Sequence, residues 1–92
     1  MTITKHEIRP GAYYDSVVLM QLQKGLVDLS GVVDAGVVMA TPANRDVLAA
    51  AGFDLDDIDA RPDDLLIMVK AETAAAAEAA LAAVDPLLQQ RQ

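Results

Sequence analysis

Leu65-Leu66-Ile67-Met68-Val69-Lys70-Ala71 is the stretch on which the fold turns. Side chains of an extended segment alternate between two faces, and here both faces are apolar from Leu65 to Val69. A strand of that kind belongs at the centre of a sheet covered on both sides, because an open face would leave one of the two rows in water.

Upstream of it, residues 53–64 hold Asp54, Asp56, Asp57, Asp59, Asp63 and Asp64, with Pro62 discouraging a regular element near the end. This reads as a solvated acidic loop. Before the loop, Thr41-Pro42-Ala43-Asn44 has the grammar of a helix start. Thr can accept from free amides, and Pro at the first helical position has no amide to leave unsatisfied. The helix runs through Ala51 and stops at Gly52. Ahead of it, Val33, Ala35, Val37 and Met39 alternate along one face of a strand that reaches Ala40.

The flanks complete the pattern. Lys5 to Ile8 reads as a short strand, closed by Arg9-Pro10-Gly11. Asp15 or Ser16 can cap a helix whose Leu19, Leu22, Leu26 and Leu29 form one buried stripe, ending at Ser30-Gly31. Gly25 within it marks close approach to a neighbouring backbone. Downstream, Thr73 caps an Ala-rich helix with Ala77, Leu81, Val84 and Leu88 inward and Glu78 outward, and Pro86 should kink it or end it early.

Strand, helix, strand, short helix, strand, helix, joined by right-handed crossovers, puts both long helices on one face of the sheet. The fold class expected is α+β, a ferredoxin-like split βαβ sandwich lacking its fourth strand. In the order 4-1-3-2 the first strand is then left at a bare edge, which invites a partner, most simply a second copy. A parallel, flavodoxin-like three-stranded sheet is the alternative, and pairing directions decide between them.

Ninety-two residues support one core, so residues 1–92 are expected to form a single domain. With only Tyr13, Tyr14 and Phe53 aromatic, that core must be aliphatic and closely packed. A net charge of -7 argues against nucleic acid and anionic membrane surfaces as partners, since both need cationic side chains to neutralise phosphate. No apolar run is long enough to span a bilayer, and Met1 to Glu7 lacks a signal peptide's apolar centre, so a cytoplasmic location is expected. The absence of cysteine removes disulfides, thiolate metal sites and thiol nucleophiles.

The chemistry on offer is sparse. If Asp54 opened an EF-hand loop, Ile58 would fall at the fifth position, Asp59 would replace the turn glycine and Leu65 the terminal glutamate, so the template fails. His6 is the single histidine and has no companion for a metal cluster or a Ser-His-Asp triad. Ser16 and Ser30 sit where helix boundaries want them. No catalytic residue, metal site or cofactor is therefore assigned. Thr41, Pro42, Asn44 and Arg45 are candidate contacts for an anion or a partner, because free amides at a helix start favour negative charge. Arg9 and the pair Tyr13-Tyr14 offer a second polar rim, or a cover for the start of the first helix.

Three stretches together resemble a known family: Arg9 to Met20 (RPGAYYDSVVLM), Gly31 to Asn44 (GVVDAGVVMATPAN) and Pro62 to Ile67 (PDDLLI). They are similar to the N-terminal domain of the FdrA proteins, and the likeness covers essentially the whole chain. In that family the domain precedes regions similar to the CoA-binding and ligase domains of succinyl-CoA synthetase α subunits. The family is linked to allantoin and oxamate catabolism through a carbamoyltransferase system. The bare strand edge points to an interaction or oligomerisation module, and the resemblance suggests those CoA-binding/ligase domains or carbamoyltransferase subunits as its partners beside a second copy. An ACT-like regulatory domain that binds a small anionic metabolite is the other reading. This chain stops at Gln92, before any CoA-binding glycine motif, so synthetase activity is not carried over. Thr41 to Asn44 and Asp15-Ser16 carry over as contact or ligand positions, and Tyr14 joins them as a candidate contact from the polar rim.

Overall fold

The computed structural model describes residues 2–12, 14–56 and 58–89. Its elements are β1 (Ile3–Arg9), α1 (Ser16–Val27), β2 (Val32–Met39), α2 (Pro42–Ala50), β3 (Leu65–Ala71), α3 (Ala74–Ala82) and α4 (Val84–Gln89). The strands form one sheet in the order β1-β3-β2, and β3 runs antiparallel to both neighbours. These directions select the ferredoxin-like arrangement over the parallel sheet. Both β1 and β2 lie at a margin.

β3 sits at the centre because its residues can be buried on either side. Leu65, Ile67, Val69 and Ala71 face the helical layer with Leu22, Leu26, Ala77, Ala80 and Val84. Leu66 and Met68 face the other way, into a second cluster with Leu48, Phe53 and Ile58. Each buried aliphatic side chain contributes about 1.5–3 kcal/mol, so this strand alone supplies gross stabilisation comparable to the net stability of a small domain.

The segment between α2 and β3 departs from a purely solvated loop. Phe53 and Ile58 are buried under the sheet, while Asp54, Asp56, Asp59 and Asp63 point to solvent. Apolar and acidic residues alternate here, so the segment lies along the sheet and covers the face that α1 and α3 leave open. Asp64 closes it from a buried position, its carboxylate accepting from the Arg61 amide at 3.0 Å.

Two further local expectations, at Val33 and Gly25, meet the structure differently, and a third, at Pro86, is met. Val33 does not join the inward row, because the register shifts between Val32 and Asp34 and leaves Val33 half in water, with Val32 packed on the core instead. Gly25 makes way for a side chain and not a backbone, since a Cβ there would lie 3.1 Å from Leu87. The last helix is divided into two. Pro86 has no amide to donate to Ala82, and the break falls where that bond is missing, with α3 ending at Ala82 and α4 starting at Val84.

On β1, Lys5, Glu7 and Arg9 are in register with the helix-facing row of β3 and point toward the helical layer. Lys5 pairs with Glu78 of α3 at 3.2 Å, while Arg9 bonds to Glu7 and reaches Asp85 of α4 at 2.6 Å. The hydrogen bond from the Arg9 guanidinium, reinforced by its charge, holds the Asp85 carboxyl below its ordinary value. A depressed carboxyl binds fewer protons in the folded chain than in the unfolded one, so stability from this pair is present above the ordinary carboxylate range and lost as pH falls through the folded value. Asp85→Asn is expected to melt below the parent near about pH 7 and to converge with it below about pH 4, a comparison made by thermal denaturation across that range.

Candidate interaction site

Two helix starts and one strand margin meet at the C-terminal end of β2. Asp15 caps α1 by accepting from the Val18 amide at 3.0 Å, and Thr41 caps α2 by accepting from the Asn44 amide at 3.2 Å. Pro42 occupies the first helical turn, as its missing amide allows. The side-chain amide of Asn44 donates to the Met39 carbonyl at 2.8 Å, and the Thr41 amide donates to the same carbonyl at 2.8 Å. Asn44 thereby ties the start of α2 to the end of β2.

Ser16 and Asn44 are brought to the rim of one hollow of about 300 Å³ between α1 and β2, whose walls include Leu19, Met20, Val37 and Met39. Arg45 is sent elsewhere. Its Nη2 donates to the Ile58 carbonyl at 3.1 Å beneath the acidic segment, and its Nη1 is buried without a hydrogen-bond partner among the described residues. Tyr14 is partly buried against the main core; Tyr13, its proposed companion, lies outside the described residues.

Reading the sequence for polar convergence missed the apolar part of this site. Met20, on the wall of the hollow, is 70% exposed; Val17 on α1 and Val47 on α2, which do not line it, are 61% and 63% exposed. The signal was available. Val17 and Met20 are apolar residues that fall off the Leu19-Leu22-Leu26 stripe, and a helix that needs only solubility has no use for them there.

A second hollow, of about 400 Å³, lies on the opposite side of the sheet near β1, with His6, Asp54 and Thr4 on its walls. Among the described residues on its walls, His6 and Asp54 are the two metal-type donors. Among the described residues no three of His, Cys, Asp and Glu come together, and no helix is long and apolar enough to cross a membrane.

Comparison with known proteins adds a family. A family model described as "AllF, heavy metal-associated domain" matches residues 1–92. Among curated proteins, the uncharacterized protein YahF of Escherichia coli (strain K12) is 35% identical over 81 residues, which is 87% of this chain and 16% of that protein. The chain thus spans about a sixth of the length of the curated relative it matches. No solved structure matches the chain.

The metal in the family's description does not fit the residues here. Soft and borderline heavy metals select thiolate and imidazole, and this chain has no cysteine and one histidine, which among the described residues around its hollow has Asp54 as its one neighbouring donor. Matched along its whole length by that family model, the chain belongs to the AllF heavy metal-associated domain family.

Proposed function

We propose that this domain is a protein-interaction module of a larger FdrA-type, acyl-CoA-synthetase-like protein linked to allantoin and oxamate metabolism. Its task is to associate with itself, or with CoA-binding/ligase domains or carbamoyltransferase subunits, inside the cell. One observation carries the reading: a three-stranded sheet with both outer strands at a margin, beside exposed apolar residues. An unpaired strand offers a row of backbone donors and acceptors, and pairing with another chain satisfies them. The length of YahF, about six times the matched stretch, supplies further domains for such a module to hold.

Light scattering from dilute to concentrated solution, together with co-purification against CoA-binding/ligase regions and carbamoyltransferase subunits, tests this. Association in at least one assay is the expected result. A chain that stays monomeric throughout and captures none of these partners contradicts it.

A regulatory role with a small anion is the second reading, and the buried Arg45 Nη1 without a partner favours it. Oxamate, carbamoyl phosphate or inorganic phosphate at millimolar concentration would then raise the melting temperature, and Arg45→Gln would abolish the rise. An unchanged melting temperature with all three anions removes this reading.

A further inference from the structure

The outer edge of β2 carries a hydrogen-bonding pattern that is complementary to itself. In an antiparallel ladder, pairs that exchange hydrogen bonds alternate with pairs that do not. The Ala40 amide donates to the Asp64 carbonyl at 2.9 Å, so with the register Val38↔Leu66 and Gly36↔Met68 it is residues 36, 38 and 40 that bond inward to β3. Ala35, Val37 and Met39 therefore turn their amides and carbonyls outward.

Two of these six outward groups are already satisfied within the chain. The Ala35 amide donates to the Asp34 carboxylate at 2.8 Å, and the Met39 carbonyl accepts from Asn44 and Thr41. Four remain without a partner among the described residues: the Ala35 carbonyl, both groups of Val37 and the Met39 amide.

Now place a second copy antiparallel on this edge, with a twofold axis at Val37. The two Val37 residues exchange a pair of hydrogen bonds, and each Met39 amide meets the other copy's Ala35 carbonyl. All four free groups on each chain are then used. The only groups this register would leave to pair with one another, the Ala35 amide and the Met39 carbonyl, are the two capped internally. The caps themselves, a carboxylate from Asp34 and an amide from Asn44, come to face each other across the junction as acceptor and donor.

We infer that β2 pairs with β2 of a second copy of this chain, Val37 against Val37, to make a continuous six-stranded sheet. This rests on the interaction reading above and names the edge, the register and the partner. An axis perpendicular to the sheet keeps like faces together, so α1 lies beside the α1 of the other copy on one face and α2 beside its α2 on the other. Met20, exposed on the wall of the hollow at this edge, is thereby covered on one face of the sheet and Val47, exposed on α2, on the other. A foreign strand gains only these few backbone bonds, because the caps stop the ladder at either end; a second copy adds the helical contacts as well. β1 is the poorer edge, since the row it sends toward the helices is Lys5, Glu7 and Arg9, the kind of charge that blunts a strand margin.

Single cysteines test the register in a chain that has none of its own. Met20→Cys is expected to form a disulfide-linked dimer under mild oxidation, while Thr4→Cys on β1 remains uncrosslinked. Met20→Glu, which sets two carboxylates near the axis, is expected to weaken dimerisation by more than about tenfold and to speed hydrogen exchange at the Val37 and Met39 amides, with the melting temperature of the isolated fold unchanged. Crosslinking through Thr4 and not Met20 overturns the β2 assignment and leaves the interaction reading standing. So does capture of a different protein by a chain whose Val37 and Met39 amides exchange equally fast with and without Met20→Glu. A monomer at every concentration overturns the inference, and the interaction reading survives it only if another subunit is captured.

Discussion

Burial of β3 from both sides is the constraint on which the rest of this structure depends. A strand with Leu65, Ile67 and Val69 on one face and Leu66 and Met68 on the other needs two covers. The helices α1 and α3 supply one, and α2 with the Phe53 to Ala60 stretch supplies the other. Close approach on that second side depends on Gly36, where a Cβ would lie 2.5 Å from Leu48. On the first side Gly31, at φ +82°, lets the turn into β2 pass under Ala76. With both faces of the sheet committed, the strand margins are where new backbone pairing remains open.

The two margins are finished differently, and the difference has chemical content. β1 turns Lys5, Glu7 and Arg9 toward the helices, where Lys5 pairs with Glu78 and Arg9 with both Glu7 and Asp85, which ties the strand to α3 and α4. Such pairs contribute little individually but keep a strand edge polar. β2 carries its polar caps at the ends only, Asp34 at one and Asn44 at the other, with Val37 between them and apolar residues of α1 alongside.

Much of this was legible in the residues. The apolar run at 65–69 announced the central strand, Thr41-Pro42 and Thr73 announced two helix starts through their capping chemistry, and Pro86 announced the break after Ala82. Val33 escapes the alternation because a bulge adds one residue to a strand without any change in its alternating composition. Aspartates dominate the composition of residues 53–64, whereas the packing of that segment is set by Phe53 and Ile58. At the site, capping side chains were found from local sequence, but the meeting of Ser16 with Asn44 and the diversion of Arg45 to Ile58 depend on contacts distant in the chain. The free and capped groups along β2 emerge only once its register with β3 is known.

The family is described by heavy-metal association and this chain has no thiol; the use proposed for its scaffold is association through its surfaces. An isotope-filtered nuclear Overhauser experiment on a mixture of labelled and unlabelled chain tests that use most directly. With Val37 on the twofold axis, Gly36 of one copy and Val38 of the other form the non-hydrogen-bonded pair, whose α-protons lie close together. An intermolecular contact between those α-protons is the result predicted. A sample that stays monomeric, or intermolecular contacts that place Thr4 and His6 at the junction instead, would contradict the account.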